Sequence, residues 1–160
     1  MCGWSSRQPA SSVKSTRRWR EDSLDAGAGP TRLTQAAERR WRVLLVEDEA
    51  IIAILMEDLL DELGCDVVAT AAELDGAIAA ARTGQFDLAF LDVNLRGVPV
   101  YPVAEVLRAR AIPFAFVTGY GSTGVDAGRV EAPILQKPFQ SRDLAAVLRR
   151  LQSQHPPVDS

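Results

Sequence analysis

Five residues whose side chains could do chemistry follow four separate apolar segments of the sequence. Glu47 and Asp48 come directly after the first segment, and Asp92 ends the third. Thr118 follows the fourth segment and Lys137 follows the fifth. In an open parallel sheet, ligands bind beyond the carboxyl ends of the strands. If these segments are strands of one such sheet, three carboxylates, a hydroxyl and an ammonium meet at one edge.

This set of groups indicates phosphoryl chemistry assisted by a divalent cation. Packed carboxylates repel one another unless a hard cation binds them, and a few carboxylates with water ligands suit Mg²⁺. Once a metal neutralises the phosphoryl charge, one carboxylate is free to act as a nucleophile and form an acyl phosphate. Lys137 and Thr118 are suited to hold the phosphoryl oxygens. Lys137 is the only lysine in residues 42–160, where the nine other cationic side chains are arginines, which favours a specific role.

Taken singly, each of these groups also has an ordinary structural explanation. Glu47, Asp48 and Glu49 precede a predicted helix, where acidic residues complement the helix N-terminus and Asp48 suits an N-cap. Asp92 and Thr118 are residue types that occur in the turns after strands. A polar group at the end of each of four strands is a stronger indication than any single member.

The elements that must position these residues alternate regularly along the chain. Short continuous apolar segments, which are typical of strands buried on both faces, lie at 43–46, 67–70, 88–91, 114–117 and 134–135. Segments with helical spacing follow four of them. This alternation predicts an α/β fold with a doubly wound parallel sheet.

Apolar residues three and four positions apart define the predicted helices. The first helix is closed by Gly64, and its apolar stripe consists of Ile51, Leu55, Leu59, Leu60 and Leu63. Further stripes lie over 74–81, closed by Gly84, over 103–107 and over 144–151. The connection 119–130 has four glycines in its first ten residues, so its helix prediction is the weakest.

Composition bounds the number of domains and the class of protein. The chain has 160 residues, 47% hydrophobic and 24% charged, which is typical of one globular domain. No apolar segment approaches the roughly 18 residues needed to span a bilayer, and two cysteines cannot make a disulfide framework. Residues 1–41 have eight Arg and Lys against four Asp and Glu and are rich in Ser, Gly and Pro. We therefore predict a disordered basic tail over 1–41, a folded domain over 42–152 and a disordered tail over 153–160.

Residues 42–152 resemble the receiver domain of bacterial two-component response regulators. Val-Leu-Leu-Val-Glu-Asp-Glu at 43–49 is similar to the family's first strand and acidic pair. Leu-Ala-Phe-Leu-Asp at 88–92 is similar to the phosphoacceptor strand, and Gln-Lys-Pro-Phe at 136–139 to the lysine–proline motif. The resemblance implies a flavodoxin-like, five-stranded parallel sheet in the order 2-1-3-4-5 with helices on both faces.

The resemblance also implies roles for the acidic residues. Asp92 is the expected phosphoacceptor, and it takes a phosphoryl group from a phosphohistidine on a sensor histidine kinase or a histidine phosphotransferase. Asp48, Asp92 and the backbone carbonyl of Asn94 are the expected Mg²⁺ ligands. Glu47 is expected to act on the metal through water.

The remaining motif residues and the output follow from the same resemblance. Thr118 and Lys137 contact the phosphoryl group, and the peptide bond from Lys137 to Pro138 is expected to be cis. No DNA-binding or catalytic module follows the last predicted helix, so we expect a single-domain cytoplasmic regulator. It should not be an enzyme beyond self-phosphorylation and autodephosphorylation. Its expected output is binding of a downstream protein or onward phosphotransfer, without direct contact to DNA or a membrane.

One position departs from the usual receiver pattern. Most receivers have Tyr or Phe on the fifth strand, three residues before the lysine, where this sequence has Ile134. The segment 113–121, Pro-Phe-Ala-Phe-Val-Thr-Gly-Tyr-Gly, is similar instead to the FAT GUY subfamily of receivers, which has a tyrosine just after the threonine. We therefore expect Tyr120 to be the switch residue, because it opens a glycine-rich segment whose ordering is entropically costly.

Two other classes of function stay open. Asp92, Val93 and Asn94 are similar to the Asp-x-Asp pair of haloacid dehalogenase-type phosphatases, although that pair should end the first strand of a larger domain. A pseudo-receiver would bind partners without being phosphorylated. The complete set of polar groups argues against a pseudo-receiver, and failure to bind Mg²⁺ would favour it.

Overall fold

A computed structural model describes residues 39–119 and 131–154 of the chain. The chain divides into two compact units, Met1–Arg39 and Arg40–Ser160, and almost all of the described residues belong to the second. The predicted basic tail up to residue 38, the connection 120–130 and the predicted tail from residue 155 lie outside the described residues. The disorder of the two tails stays a prediction.

Five parallel strands form the central sheet. They are β1 (Trp41–Val46), β2 (Cys65–Ala71), β3 (Leu88–Asp92), β4 (Phe114–Thr118) and β5 (Ile134–Gln136). Hydrogen bonding places them in the order β2-β1-β3-β4-β5, which is the predicted order 2-1-3-4-5. All five predicted strands are therefore confirmed, and the fold is the flavodoxin-like doubly wound sheet.

Within the described residues, four helices pack against the two faces of the sheet. They are α1 (Ala50–Glu62), α2 (Leu74–Thr83), α3 (Tyr101–Ala109) and α4 (Ser141–Gln154). Side chains of α2 and α3 pack with Ala89 and Leu91 of β3 in one apolar cluster. Side chains of α1 and α4 pack with Leu88 and Phe90 of the same strand in a second cluster. The central strand therefore contributes alternate residues to two cores, which explains its continuous apolar sequence.

Burial on both faces holds for the central strands and is wrong for β2. Every residue of β3 and β4 is buried, whereas residues of β2 alternate between more and less exposed positions. Val68 of β2 is 48% exposed. The reason is that β2 is an edge strand of the sheet, so neighbouring elements do not cover it fully on both sides.

The predicted apolar stripe of α1 is wrong at its first two members. Ile51 is 81% exposed and Leu55 is 43% exposed, while Met56 and Leu60 are fully buried. Residues 50–56 are all apolar, so their hydrophobicity alone does not fix which side of the helix faces the core. Leu60 fixes that side, because residues four positions apart lie on the same face and Met56 precedes it by four.

The two predicted helix-closing glycines act for different reasons. Gly64 has φ +84°, a left-handed conformation that glycine adopts without a Cβ clash. Gly84 instead has an extended backbone, with φ −67° and ψ 151°. A Cβ atom at Gly84 would lie 2.5 Å from the carbonyl oxygen of Ala80 and 2.7 Å from the ring of Phe86, so close packing excludes a side chain there.

Arg40, directly before β1, contacts two other elements. Its guanidinium donates hydrogen bonds to the carbonyl oxygen of Cys65 at 2.8 Å and to the carboxylate of Asp66 at 2.6 Å. It also pairs with the carboxylate of Asp61 near the end of α1. These contacts lie at the amino-terminal edge of the parallel sheet, opposite the carboxyl ends of the strands.

A short hairpin follows β3 and contains the turn that matters for the site. Its strands, Asn94–Leu95 and Val98–Pro99, pair antiparallel around Arg96 and Gly97. Both turn residues have positive φ, +52° and +87°. Consecutive positive φ values are the pattern of a type I′ turn, which favours Asn-Gly. Arg96 therefore has a left-handed conformation that costs a residue with a Cβ about 1–2 kcal/mol.

This turn gives a stability prediction. The free energy of unfolding should be about 1 kcal/mol higher for the Arg96→Asn variant than for the Arg96→Ala variant. The reason is that Asn tolerates the left-handed conformation and Ala does not. Both variants remove the same charge, so a comparison of the two isolates the backbone. Chemical denaturation measures the difference, and equal midpoints for the two variants would contradict the assigned turn strain.

Candidate functional site

The carboxyl ends of four strands bring the predicted polar residues together. Glu47 follows β1, Asp92 ends β3, Thr118 ends β4 and Lys137 follows β5. Because β3 pairs with both β1 and β4, and β4 pairs with β5, these four positions lie along one edge of the sheet. The edge forms a cleft of about 370 Å³, whose lining includes Asp48, Glu49, Asp92, Asn94, Arg96, Thr118 and Lys137.

Asp92 lies at the centre of this edge with both carboxylate oxygens engaged. Its Oδ1 accepts a hydrogen bond from the backbone N–H of Asn94 at 3.0 Å. Its Oδ2 accepts one from Nζ of Lys137 at 3.1 Å. The residue is only 7% exposed, and it lines the cleft. The carboxylate is therefore oriented by two donors while it remains accessible from one side.

Lys137 is the cation that the carboxylates share. Its Nζ lies 2.9 Å from Glu47 Oε2, 3.1 Å from Asp92 Oδ2 and 3.7 Å from Glu49 Oε1. Burial lowers the pKa of Lys137, but contact with Glu47 and the charge of Asp92 outweigh burial and raise that pKa above its ordinary value. Lys137 is therefore a charged ammonium at neutral pH.

The backbone around Lys137 fixes where its side chain begins. Its N–H donates a 2.7 Å hydrogen bond to the carbonyl oxygen of Thr118, which continues the pairing of β4 with β5. The peptide bond from Lys137 to Pro138 is cis, as predicted. Thr118 itself is buried and lines the cleft at the end of β4. The structure thus places the predicted hydroxyl and ammonium beside the predicted nucleophile.

Glu47 is the most deeply buried of the acidic side chains at this edge. Its Oε1 accepts the backbone N–H of Glu49 at 3.1 Å. Its Oε2 is close to the Lys137 ammonium, but it accepts no well-aligned hydrogen bond within the described part of the chain. Burial raises the pKa of Glu47 to about 7, although contact with Lys137 and the Glu49 N–H lower it.

This arrangement fits a divalent cation. Carboxylate oxygens of Glu47, Glu49 and Asp92 all lie within 4.8 Å of one another. A buried carboxylate oxygen without an aligned donor, as in Glu47, is an acceptor that a hard cation can satisfy. One ammonium neutralises one of the three charges, so the group as a whole remains anionic. The donor set is oxygen only, which suits Mg²⁺.

Asp48 has a different local role from the other predicted metal residues. It lines the cleft, but its Oδ2 accepts the backbone N–H of Arg96 at 3.1 Å. Within the described residues, the carboxylate that joins Glu47 and Asp92 is that of Glu49. The sequence analysis considered Glu49 only as an acidic residue before a helix N-terminus and did not include it among the expected metal residues. It also did not identify Arg96, because no sequence motif marks it.

Of two further predicted residues, Asn94 and Tyr120, the structure describes Asn94 only. The carbonyl group of Asn94 belongs to a residue that lines the cleft, directly after β3. Tyr120, the predicted switch residue, lies outside the described residues. Within residues 39–119 and 131–154, no helix is both long enough and apolar enough to cross a bilayer.

Comparison with known proteins assigns the family. A family model of the response regulator receiver domain matches residues 43–149. The chain belongs to the response regulator receiver family. The match begins in β1 and ends in α4, so it includes every strand that contributes to the cleft. In the structure, Asp92 ends the third strand, whereas the acidic pair of a haloacid dehalogenase-type phosphatase should end the first strand.

Named relatives show what this receiver is similar to. It is 34% identical over 143 residues to the transcriptional regulatory protein TcrA of Mycobacterium tuberculosis, and the alignment covers 85% of this chain and 55% of TcrA. It is 29% identical to the phyllosphere-induced regulator PhyR of Methylorubrum extorquens, covering 71% of this chain and 44% of PhyR. The receiver therefore spans about half the length of these relatives.

Two solved structures are similar to this receiver. The solution structure of SdrG from Sphingomonas melonis Fr1 is 44% identical, with a TM-score of 0.64. The similarity covers 70% of this chain and 96% of SdrG. The 1.25 Å structure of the PhyR stress response regulator is 30% identical, with a TM-score of 0.64, and is covered over 51% of its length.

The raised pKa of Glu47 gives a pH prediction for the metal-free protein. A buried carboxyl with a folded-state pKa of about 7 and an ordinary pKa of 4.5 destabilises the fold as it ionises. Wild-type stability should therefore fall relative to the Glu47→Gln variant as pH rises from about 5 to about 8, by up to about 1.4 kcal/mol per pKa unit. Chemical denaturation in the presence of a chelator measures this difference.

The exposed Glu105 provides the matched control. The Glu105→Gln variant removes the same charge from α3, outside the cleft, so its stability relative to wild type should not change over this pH range. A pH-independent difference between the Glu47→Gln variant and wild type would contradict the burial argument.

Proposed function

We propose that this receiver is the phosphoacceptor of a two-component phosphorelay and that Asp92 receives the phosphoryl group. The single observation that supports this proposal most is the position of Asp92. Its carboxylate is held at the centre of the carboxyl edge by Lys137 and the Asn94 N–H, and it opens into a cleft of about 370 Å³. A nearly buried carboxylate with an adjacent ammonium and acidic neighbours is the arrangement that phosphoryl transfer to a side chain needs.

The transfer step follows from these contacts. A carboxylate oxygen of Asp92 attacks the phosphorus atom of a phosphohistidine on a sensor histidine kinase or a histidine phosphotransferase. The new P–O bond forms as the P–N bond breaks, and its electron pair returns to the imidazole nitrogen. Asp92 then carries an acyl phosphate. Lys137, whose Nζ is 3.1 Å from Asp92 Oδ2, transfers its contact to a phosphoryl oxygen, and the Thr118 hydroxyl donates a hydrogen bond to another.

The acidic residues are proposed to hold Mg²⁺ beside Asp92. Asp48, Asp92 and the Asn94 carbonyl are the proposed direct ligands, and Glu47 acts through water. When bound, the cation neutralises charge on the phosphoryl oxygens during transfer. Glu49 extends the negative field of the group towards the mouth of the cleft, since its side chain is 65% exposed.

The proposed output is a change in protein binding or onward phosphotransfer. The relatives TcrA and PhyR are named as regulators, and the receiver spans about half of each. SdrG, in contrast, is covered over 96% of its length. We propose a downstream protein partner as the output, with no direct contact to DNA or to a membrane.

Phosphate uptake is the first test of this function. Incubation with acetyl phosphate and Mg²⁺ should add the mass of one phosphoryl group to the intact protein. The Asp92→Asn variant should gain none, because an amide is a poor nucleophile. The Asp58→Asn variant is the matched control, since Asp58 is an exposed carboxylate on α1, and it should behave like wild type.

The same measurement separates the alternative. If wild type gains no mass and an added chelator leaves its thermal stability unchanged in Mg²⁺ buffer, the protein is a pseudo-receiver. If the Asp92→Asn variant gains mass at the wild-type rate, another residue is the acceptor and the assignment of Asp92 is wrong.

Tyr120 is proposed to report phosphorylation to the partner. Ile134 occupies the strand position where most receivers have an aromatic switch residue, and its half-buried aliphatic side chain packs against the core. We expect the Tyr120→Ala variant to take up phosphate at the wild-type rate but to lose the phosphorylation-dependent gain in partner binding. The measurements are mass spectrometry and binding to the cognate partner. Retention of both properties would place the switch at another residue.

A further inference from the structure

The cleft contains a second cation whose position the phosphoacceptor chemistry does not yet explain. Among the described residues that line the cleft, the cationic side chains are Lys137 and Arg96. Lys137 is surrounded by Glu47, Glu49 and Asp92, so its charge is already engaged within the cleft. Arg96 has no carboxylate partner of this kind inside the cleft among the contacts described.

Arg96 is instead paired weakly on the outer side. Its Nη1 lies 3.5 Å from Oε1 of Glu73, which occupies the N-cap position of α2, and the two side chains are 65% and 75% exposed. Exposed pairs of this kind contribute little to stability. Arg96 also lines a neighbouring hollow of about 340 Å³ together with Glu73, and it therefore borders both spaces. A long side chain at this boundary reaches either the carboxylate or an anion in the cleft.

The backbone fixes the origin of this side chain firmly. Arg96 has φ +52° in a turn that Asn would suit better, and its N–H is bonded to Oδ2 of Asp48 at 3.1 Å. The next N–H, that of Gly97, is bonded to Oδ1 of Asn94. A strained backbone that neighbouring side chains hold in place is typical of functional positions. The turn therefore fixes the position of the Arg96 Cα at the lining of the cleft. The guanidinium can still exchange Glu73 for another anion.

We propose that Arg96 is a specificity-determining residue that recruits anionic phosphodonors to the cleft, with Glu73 as its counter-ion until the donor arrives. The inference rests on the proposed phosphoryl transfer to Asp92 and assigns donor selection to a side chain outside the receiver motifs. The acidic lining repels a phosphate dianion, and a guanidinium at the mouth offsets that repulsion and forms paired hydrogen bonds with phosphoryl oxygens.

Three variants of the full chain test this proposal. The rate of mass gain from acetyl phosphate, in which Asp92 takes the phosphoryl group and acetate leaves, is measured in Mg²⁺ at low ionic strength. The Arg96→Gln variant should be about three- to tenfold slower than wild type, and the Arg96→Lys variant should retain most of the rate. The Glu73→Gln variant should be about two- to threefold faster, because it frees the guanidinium.

Two controls make the result specific. The Arg82→Gln variant removes the same charge from the far end of α2 and should match wild type. The double variant at positions 73 and 96, both changed to Gln, should match the Arg96→Gln variant, because Glu73 acts only through Arg96. The differences should shrink at about 0.5 M salt as the charges are screened. An Arg96→Gln rate equal to the Arg82→Gln rate would overturn the proposal.

A binding measurement keeps this inference separable from the proposed function. Inorganic phosphate is titrated without Mg²⁺ while the backbone amide signals of Arg96 and Gly97 are followed by NMR. These signals should shift in wild type and more strongly in the Glu73→Gln variant, and they should not shift in the Arg96→Gln variant. If wild type binds phosphate through Arg96 but gains no mass, the phosphoacceptor function fails and the anion site remains. Equal shifts in wild type and the Arg96→Gln variant would overturn the anion site.

Discussion

The carboxyl edge of this receiver depends on the ion pairs between the Lys137 ammonium and the surrounding carboxylates. Parallel strands direct their carboxyl ends to the same side, so the acidic residues after β1 and β3 meet whether or not their charges are compatible. Burying carboxylates together is unfavourable unless a cation accompanies them. One ammonium within 4 Å of three carboxylates makes the arrangement possible but leaves it anionic. That remaining negative charge favours a divalent cation at this edge.

Most of the fold was predictable because the central strands have buried neighbours on both sides. A strand such as β3, which contributes to two cores, must be apolar throughout, and that requirement is visible in the sequence. Edge strands and amphipathic helices have weaker requirements. The uniform apolar segment 50–56 allowed two rotational settings of α1, and the choice between them depended on Leu60 packing beneath the sheet. Hydrophobicity alone could not distinguish these settings.

The site was predictable where a strand end determines the position of a side chain. Asp92, Thr118 and Lys137 lie where their strands stop, and the structure brings all three to one cleft. Residues in turns depend on tertiary hydrogen bonds that no local pattern reveals. Asp48 accepts a hydrogen bond from Arg96, 48 residues away, and the left-handed conformation of Arg96 follows from a turn that ordinarily prefers Asn. Glu49 belongs to the acidic group because its backbone N–H donates a hydrogen bond to the Glu47 carboxylate, which keeps the two residues together.

The common direction of the five strands also separates Arg40 from the cleft. Arg40, directly before β1, binds Cys65 and Asp66 at the amino-terminal edge, whereas the polar groups of the cleft lie at the carboxyl edge. The six residues of β1 put about 20 Å between the two edges. A substitution at Arg40 therefore lies about the length of one strand from the cleft.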